Sequence, residues 1–199
     1  MSVRWKVSRA ARTRREGTHC MSLRKLIYTI GHSTRSIEEF ITLLQANRVK
    51  VLADVRTVPK SRSNPQFNRD TLPQSLEEVE IEYTYFPELG GWRRSKLVDS
   101  PNAGWRSAAF KNYADYMLTK KFEAGIDRII ATALERPTAI MCAEVLPWRC
   151  HRNLISDALT VRGFGVKHIM GKTSVHEHSL TSWAVVSGTS VTYPPQQEV

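Results

Sequence analysis

The chain has 199 residues, 41% of them hydrophobic and 24% charged, with a formal net charge of +10. That is enough apolar material for one domain with a sizeable core. It excludes a helical membrane protein, because no apolar run approaches the roughly 20 residues a spanning helix needs, and no solenoid or low-complexity repeat is present.

The charge is uneven. Residues 1–20 carry Arg4, Lys6, Arg9, Arg12, Arg14 and Arg15 against Glu16 alone, and so hold +5 of the total. They lack the apolar centre of a secretory signal, and Met21 opens a conventional-looking start. The expectation is a disordered basic arm or an over-long start. Such an arm would offer nucleic acid an electrostatic contact carrying no sequence information.

From Leu26 the punctuation is regular. LIYTIG (26–31) reads as a buried strand ending in Gly. Ser36, with Glu39 three residues later, is a capping-box pattern, and apolar spacing predicts a helix over 37–47. VKVLADV (49–55) is a second strand, and a polar loop leads to a helix near 71–79. IEYTYF (81–86) is a third strand. Residues 87–105 hold Pro87, Gly90, Gly91, Pro101 and Gly104 and form a long loop, of the length that usually carries function. Helices follow over 107–118 and 121–135, then a strand over 138–142, a helix over 151–162 and a strand over 165–170. No regular structure is expected from Gly171 onward. Residues 21–178 therefore read as a single α/β domain, with 179–199 a polar C-terminal tail.

Alternating strands and helices imply a mostly parallel sheet of about five strands, because parallel strands need crossover connections. The expected fold is a three-layer α/β sandwich, Rossmann- or flavodoxin-like, with strand order open. Neither GxGxxG nor GxxxxGK[ST] is present, so no nucleotide fingerprint accompanies that fold.

The chemistry-bearing residues follow strand ends: Gly31-His32-Ser33, Asp54-Val55-Arg56 and Cys142-Ala143-Glu144. Open α/β sheets bind ligands at the carboxyl ends of their strands. The densest stretch is CAEVLPWRCHR (142–152), whose Cys150, His151 and Arg152 sit at a helix start that favours an anion or a thiolate. Three readings stay open. In the first, Ser33, Arg56, Arg62 and Arg152 hold the anionic group of a small, nucleotide-like ligand. His32, Asp54, Cys142 and Glu144 then supply acid, base and nucleophile. In the second, Cys142, Glu144, Cys150 and His151, with His32 or His168, bind zinc or iron, although the paired C-x2-C spacing of structural zinc sites is missing. The third is a thiol nucleophile; Trp at position 148, where the phosphatase-type loop needs Arg, argues against that chemistry and leaves a different thiol reaction open. Ordinary accounts compete throughout. Buried cysteine is usually a small hydrophobe, His168 reads as core, Tyr83 and Tyr85 as strand packing, Trp92 and Trp105 as loop anchors, and His176 and His178 as solvated. Three cysteines (Cys20, Cys142, Cys150) are too few and too odd for a disulfide framework, and fit a reducing cytoplasm.

The order of GHS, DVR, LGG and CAE…CHR, with VKHIM beyond, resembles the bacterial domain-of-unknown-function family numbered 488, over Ile27 to His178. The resemblance implies no assigned activity. Its motif positions correspond to Gly31, His32, Ser33, Asp54, Val55, Arg56, Pro59, Ser61, Arg62, Leu89, Gly90, Cys142, Glu144, Cys150, His151, Arg152 and His168. The overall expectation is a small enzyme with an anion-binding pocket at the strand ends and an unknown reaction. The alternative is a non-enzymatic binder of a metal ion or nucleic acid.

Overall fold

A computed structural model describes residues 25–196, so the basic segment 1–20 lies outside the described residues. The chain runs β1 (Leu26–Gly31), α1 (Ile37–Ala46), β2 (Val51–Asp54), α2 (Leu72–Glu77), β3 (Glu82–Tyr85), α3 (Ala108–Met117) and α4 (Lys120–Glu135). It continues through β4 (Thr138–Cys142), α5 (Arg152–Thr160), β5 (Gly165–Ile169), β6 (Val175–Glu177), β7 (Val185–Ser187) and β8 (Ser190–Thr192). No helix among the described residues is long and apolar enough to cross a membrane.

Local chemistry sets the element ends. Ser36 caps α1 by accepting from the Glu39 N–H at 3.1 Å, as the capping box predicts, while the Glu39 carboxylate turns to Arg35 instead. Thr119 caps α4 in the same way.

The main sheet has the order β3-β2-β4-β1-β5-β6, parallel except for β6. Alternating side chains feed two cores. Ile27, Ala53, Val55, Ile140 and Val166 pack against Tyr113, Phe122, Ile126, Leu154 and Leu159 of α3, α4 and α5. Ile30, Leu52, Ala139, Met141 and Ile169 pack against Phe40, Leu44, Leu72 and Leu76 of α1 and α2. This is the expected three-layer sandwich, with six strands rather than about five.

The order places a switch point. From β1 the chain crosses over the α1 face toward β2 and β3; from β4 it crosses over the α5 face in the opposite direction, to β5. β1 and β4 are neighbours, so the segments leaving their carboxyl ends meet at the edge where α/β sheets place their ligands.

The segment after Gly171 differs from its sequence reading. It adds β6 to the sheet and folds β7 and β8 into a hairpin. Val191 and Tyr193 are buried, and Trp183 packs against the same core. Asp157 on α5 fastens it, accepting from Thr181 Oγ1 at 2.7 Å, Tyr193 OH at 2.8 Å and His178 Nε2 at 2.8 Å. The His178 side chain is thus a buried hydrogen-bond partner of Asp157 rather than a solvated ring, whereas His176 is exposed. The long loop is tied down as well. Asp115 on α3 accepts from Ser100 and from Asn102 Nδ2 at 2.8 Å, and Asn102 Oδ1 accepts from the Tyr193 N–H at 3.0 Å.

Candidate functional site

β1 and β4 remain joined past the sheet. His32 N donates to Cys142 O at 3.0 Å and Ser33 N to Ala143 O at 2.8 Å. Gly31 is required there, since a Cβ on it would lie 2.0 Å from the Glu144 carbonyl oxygen that crosses above. Gly31→Ala is expected to cost about 2–3 kcal/mol of unfolding free energy, because backbone rather than a side chain would have to move. A melting temperature within a degree or so of the parent would contradict it.

On the α1 face, this edge of the sheet carries a buried polar cluster. Arg56 Nε and Nη2 hold the Asp54 carboxylate, the closest pair at 2.6 Å, and Nη2 also donates to Phe67 O at 2.7 Å. Tyr83 OH donates to Asp54 Oδ2 at 2.7 Å, a role beyond the strand packing its position implied. His32 stacks on Phe67 with ring centroids 4.4 Å apart. The Ser33 carbonyl can only accept, so the 2.9 Å contact puts the proton on His32 Nδ1. Nε2 is left to accept from Arg56 Nη1 at 3.2 Å. Burial, aided by the Arg56 charge, lowers the His32 pKa to about 4, so the ring is neutral at pH 7. Arg56 has at most one N–H free for a ligand.

On the α5 face lies a cysteine–histidine cluster. Cys142 ends β4; Cys150 and His151 lead into α5 after a 3₁₀ turn, Pro147–Arg149. The two sulfurs and a ring nitrogen of His151 all lie within 4.8 Å of one another. His151 Nε2 donates to the Val55 carbonyl at 3.1 Å, leaving Nδ1 as the lone-pair nitrogen 3.5 Å from Cys150 Sγ. Arg152, 1% exposed, donates through Nε to the same sulfur at 3.4 Å. Its Nη2 is taken by the carbonyls of Glu144 and Val145. A hydrogen bond from Cys142, together with His151 and Arg152, pulls the Cys150 thiol well below its ordinary pKa against the opposing effect of burial. Sharing that proton and being buried push Cys142 the other way.

The long loop closes over this cluster. Gly91 lies on the His151 ring, where a Cβ would fall 2.5 Å from Nδ1, and the Trp92 N–H donates to Thr57 Oγ1 at 2.9 Å. The ends of β1, β2 and β4 and the 87–105 loop therefore meet in one place. The two clusters are adjacent: Arg152 acts electrostatically on His32, and Cys142 on Arg56.

Not every candidate joins them. Arg62 is exposed on the loop after β2, and Ser33 contributes a backbone bond. The Glu144 carboxylate is exposed and, among the described residues, accepts the Leu146 N–H alone, at 3.3 Å. His168 is buried as expected. It belongs to a separate chain running from Thr29 Oγ1 (2.7 Å) through His168 to His178 Nδ1 (3.1 Å) and on to Asp157. His151 as the oriented base, Gly91 as its cover and Thr57 as the loop's anchor escaped the sequence reading. Only the CHR and LGG runs pointed toward them.

Fold and site together define a three-layer α/β protein with a cysteine–histidine centre at the carboxyl edge of its sheet. Residues 36–159 match the family described as Domain of unknown function DUF488, and the chain belongs to that family. No curated protein and no solved structure matches it.

Proposed function

We propose that this protein is a thiol-dependent enzyme in which Cys150 is the nucleophile, His151 the proton acceptor and Cys142 a second thiol beside it. The reading rests on the position of Cys150 Sγ, 3.5 Å from a lone-pair nitrogen of His151 and 3.4 Å from the Arg152 guanidinium. A nucleophile flanked by a base that a third group orients is the general form of such sites. Here the orienting group is the Val55 carbonyl. The Cys150 proton passes to His151 Nδ1, the sulfur bonds to an electrophilic centre of a small substrate as the bond from that centre to its leaving group breaks, and His151 gives the proton to the departing group. Asp54, Arg56 and His32 are positioning residues in this reading, as is the backbone-bound Arg152, and Glu144 has no assigned part in it.

Ultraviolet absorbance of the thiolate against pH tests it. The parent is expected to show one thiolate persisting well below the ordinary cysteine pKa of about 8.5. His151→Ala should move that titration back up. A parent protein in which all cysteines titrate near the ordinary value would overturn the reading.

A metal centre on Cys142, Cys150 and His151 is the competing reading, favoured by a histidine whose far nitrogen is held by a backbone carbonyl, as metal-bound histidines usually are. The Arg152 cation on the same sulfur opposes a dication. Stoichiometric zinc or iron in the purified protein, lost in Cys150→Ala, would establish that reading instead.

A further inference from the structure

We propose that the cavity between the long loop and the C-terminal hairpin segment binds a nucleotide, either free or as a unit of a single strand. This goes beyond the thiol chemistry and does not depend on it.

The cavity is an open depression of about 580 Å³, within the range of small-molecule sites. Trp105, Trp148, Trp183 and Phe110 form its aromatic walls, and Arg106 and Ser107 line it as well. Trp105 is held edge-on by Trp183 at 5.2 Å and lies against Phe110 at 4.9 Å, so part of the wall is already set for a flat ring. Trp148 is 57% exposed, so its indole is accessible to a ligand in the cavity.

Charge completes the match. Arg56 and Arg152 are held by internal partners, whereas Arg106 lines the cavity with its side chain exposed, and exposed Arg149 follows Trp148 in the chain. Aromatic faces interleaved with arginine are the means by which proteins hold single-stranded bases and their phosphates. Trp148 lies two positions before Cys150 in the chain, so a nucleotide stacked on it would border the loop that carries the thiol centre.

The test uses the full chain, with uridine 5′-monophosphate and a dye-labelled oligothymidylate of about five nucleotides, within the site size of single-strand binders. Arg106→Ala and Trp148→Ala alter exposed residues, and unchanged melting temperatures check that both variants fold. At least one probe should bind saturably, and each variant should weaken that binding about tenfold, the loss expected for one stacked base. Arg106→Ala should also flatten its salt dependence. Competition by the mononucleotide identifies a free nucleotide as the ligand; binding of the oligonucleotide alone identifies a strand. The proposal fails if neither probe binds saturably. It fails equally if either variant binds like the parent, which would assign the retention to the basic residues 1–20.

Discussion

Asp54→Ala is expected to lower the unfolding free energy by about 3–5 kcal/mol, the cost of leaving one partner of a buried ion pair uncompensated. Arg56 is 5% exposed and Asp54 fully buried, so water cannot take the place of the lost carboxylate. The same change removes the acceptor of Tyr83 OH and of the Arg56 N–H, adding unpaired donors to a buried site. Asp54→Asn keeps the shape and part of the hydrogen bonding, and should cost less. The double variant Asp54→Ala/Arg56→Met removes both charges and should recover much of the loss, since an apolar pair can replace a buried ion pair. Urea unfolding of the parent and the three variants gives the comparison. A cost below about 1 kcal/mol for Asp54→Ala, the range of surface pairs, would mean that the cluster is solvated and does not hold His32 in place.

That cluster also shows where a sequence stops being informative. Asp54 and Arg56 were legible as chemistry at a strand end, but not as each other's partners. A guanidinium in a sequence displays its donors and nothing of its surroundings. Arg56 meets Asp54, Phe67 and His32, and Arg152 meets Cys150 and two carbonyls, so both arginines expected to hold an anion are engaged internally. Local patterns fared differently. The Ser36 cap and the ends of β1 and β4 depend on neighbouring residues, and they lie where the periodicity places them. Strand order depends on which crossover covers which face, and no local pattern records that β4 inserts between β2 and β1. Yet that insertion is what sets Gly31-His32-Ser33 beside Cys142. The tail was opaque for another reason. Its anchors, Trp183, Val191 and Tyr193, are too sparse to make a period, and His178 becomes structural only because Asp157 waits on α5.

Acid should unfold this protein well above the pH at which carboxylates titrate, because two buried imidazoles resist protonation. Burial lowers the pKa of His32 from 6.5 to about 4, with Arg56 and Arg152 acting in the same direction. Burial lowers His168 likewise to about 4, and there the neighbouring His178, Arg152 and His176 reinforce it while Asp157 opposes it. Between pH 6.5 and about 4 the unfolded chain therefore binds protons that the folded one refuses, so stability falls as pH falls through that window. Above 6.5 both rings are neutral in either state and the full stability is present. Below about 4 both are charged in either state, and no further loss comes from them. Each shift corresponds to about 3 kcal/mol, so the two together approach about 6 kcal/mol, comparable with the whole stability of many domains. Denaturant melts at about pH 7.5, 6, 5 and 4 should give a slope near pH 5 approaching 2.7 kcal/mol per unit, the value for two extra protons taken up on unfolding. His168→Gln retains hydrogen-bonding capacity toward Thr29 and His178 without titrating, and should remove about half of that slope whatever it does to stability at neutral pH. An identical slope in the parent and in His168→Gln would show that the buried imidazoles are not what acid attacks.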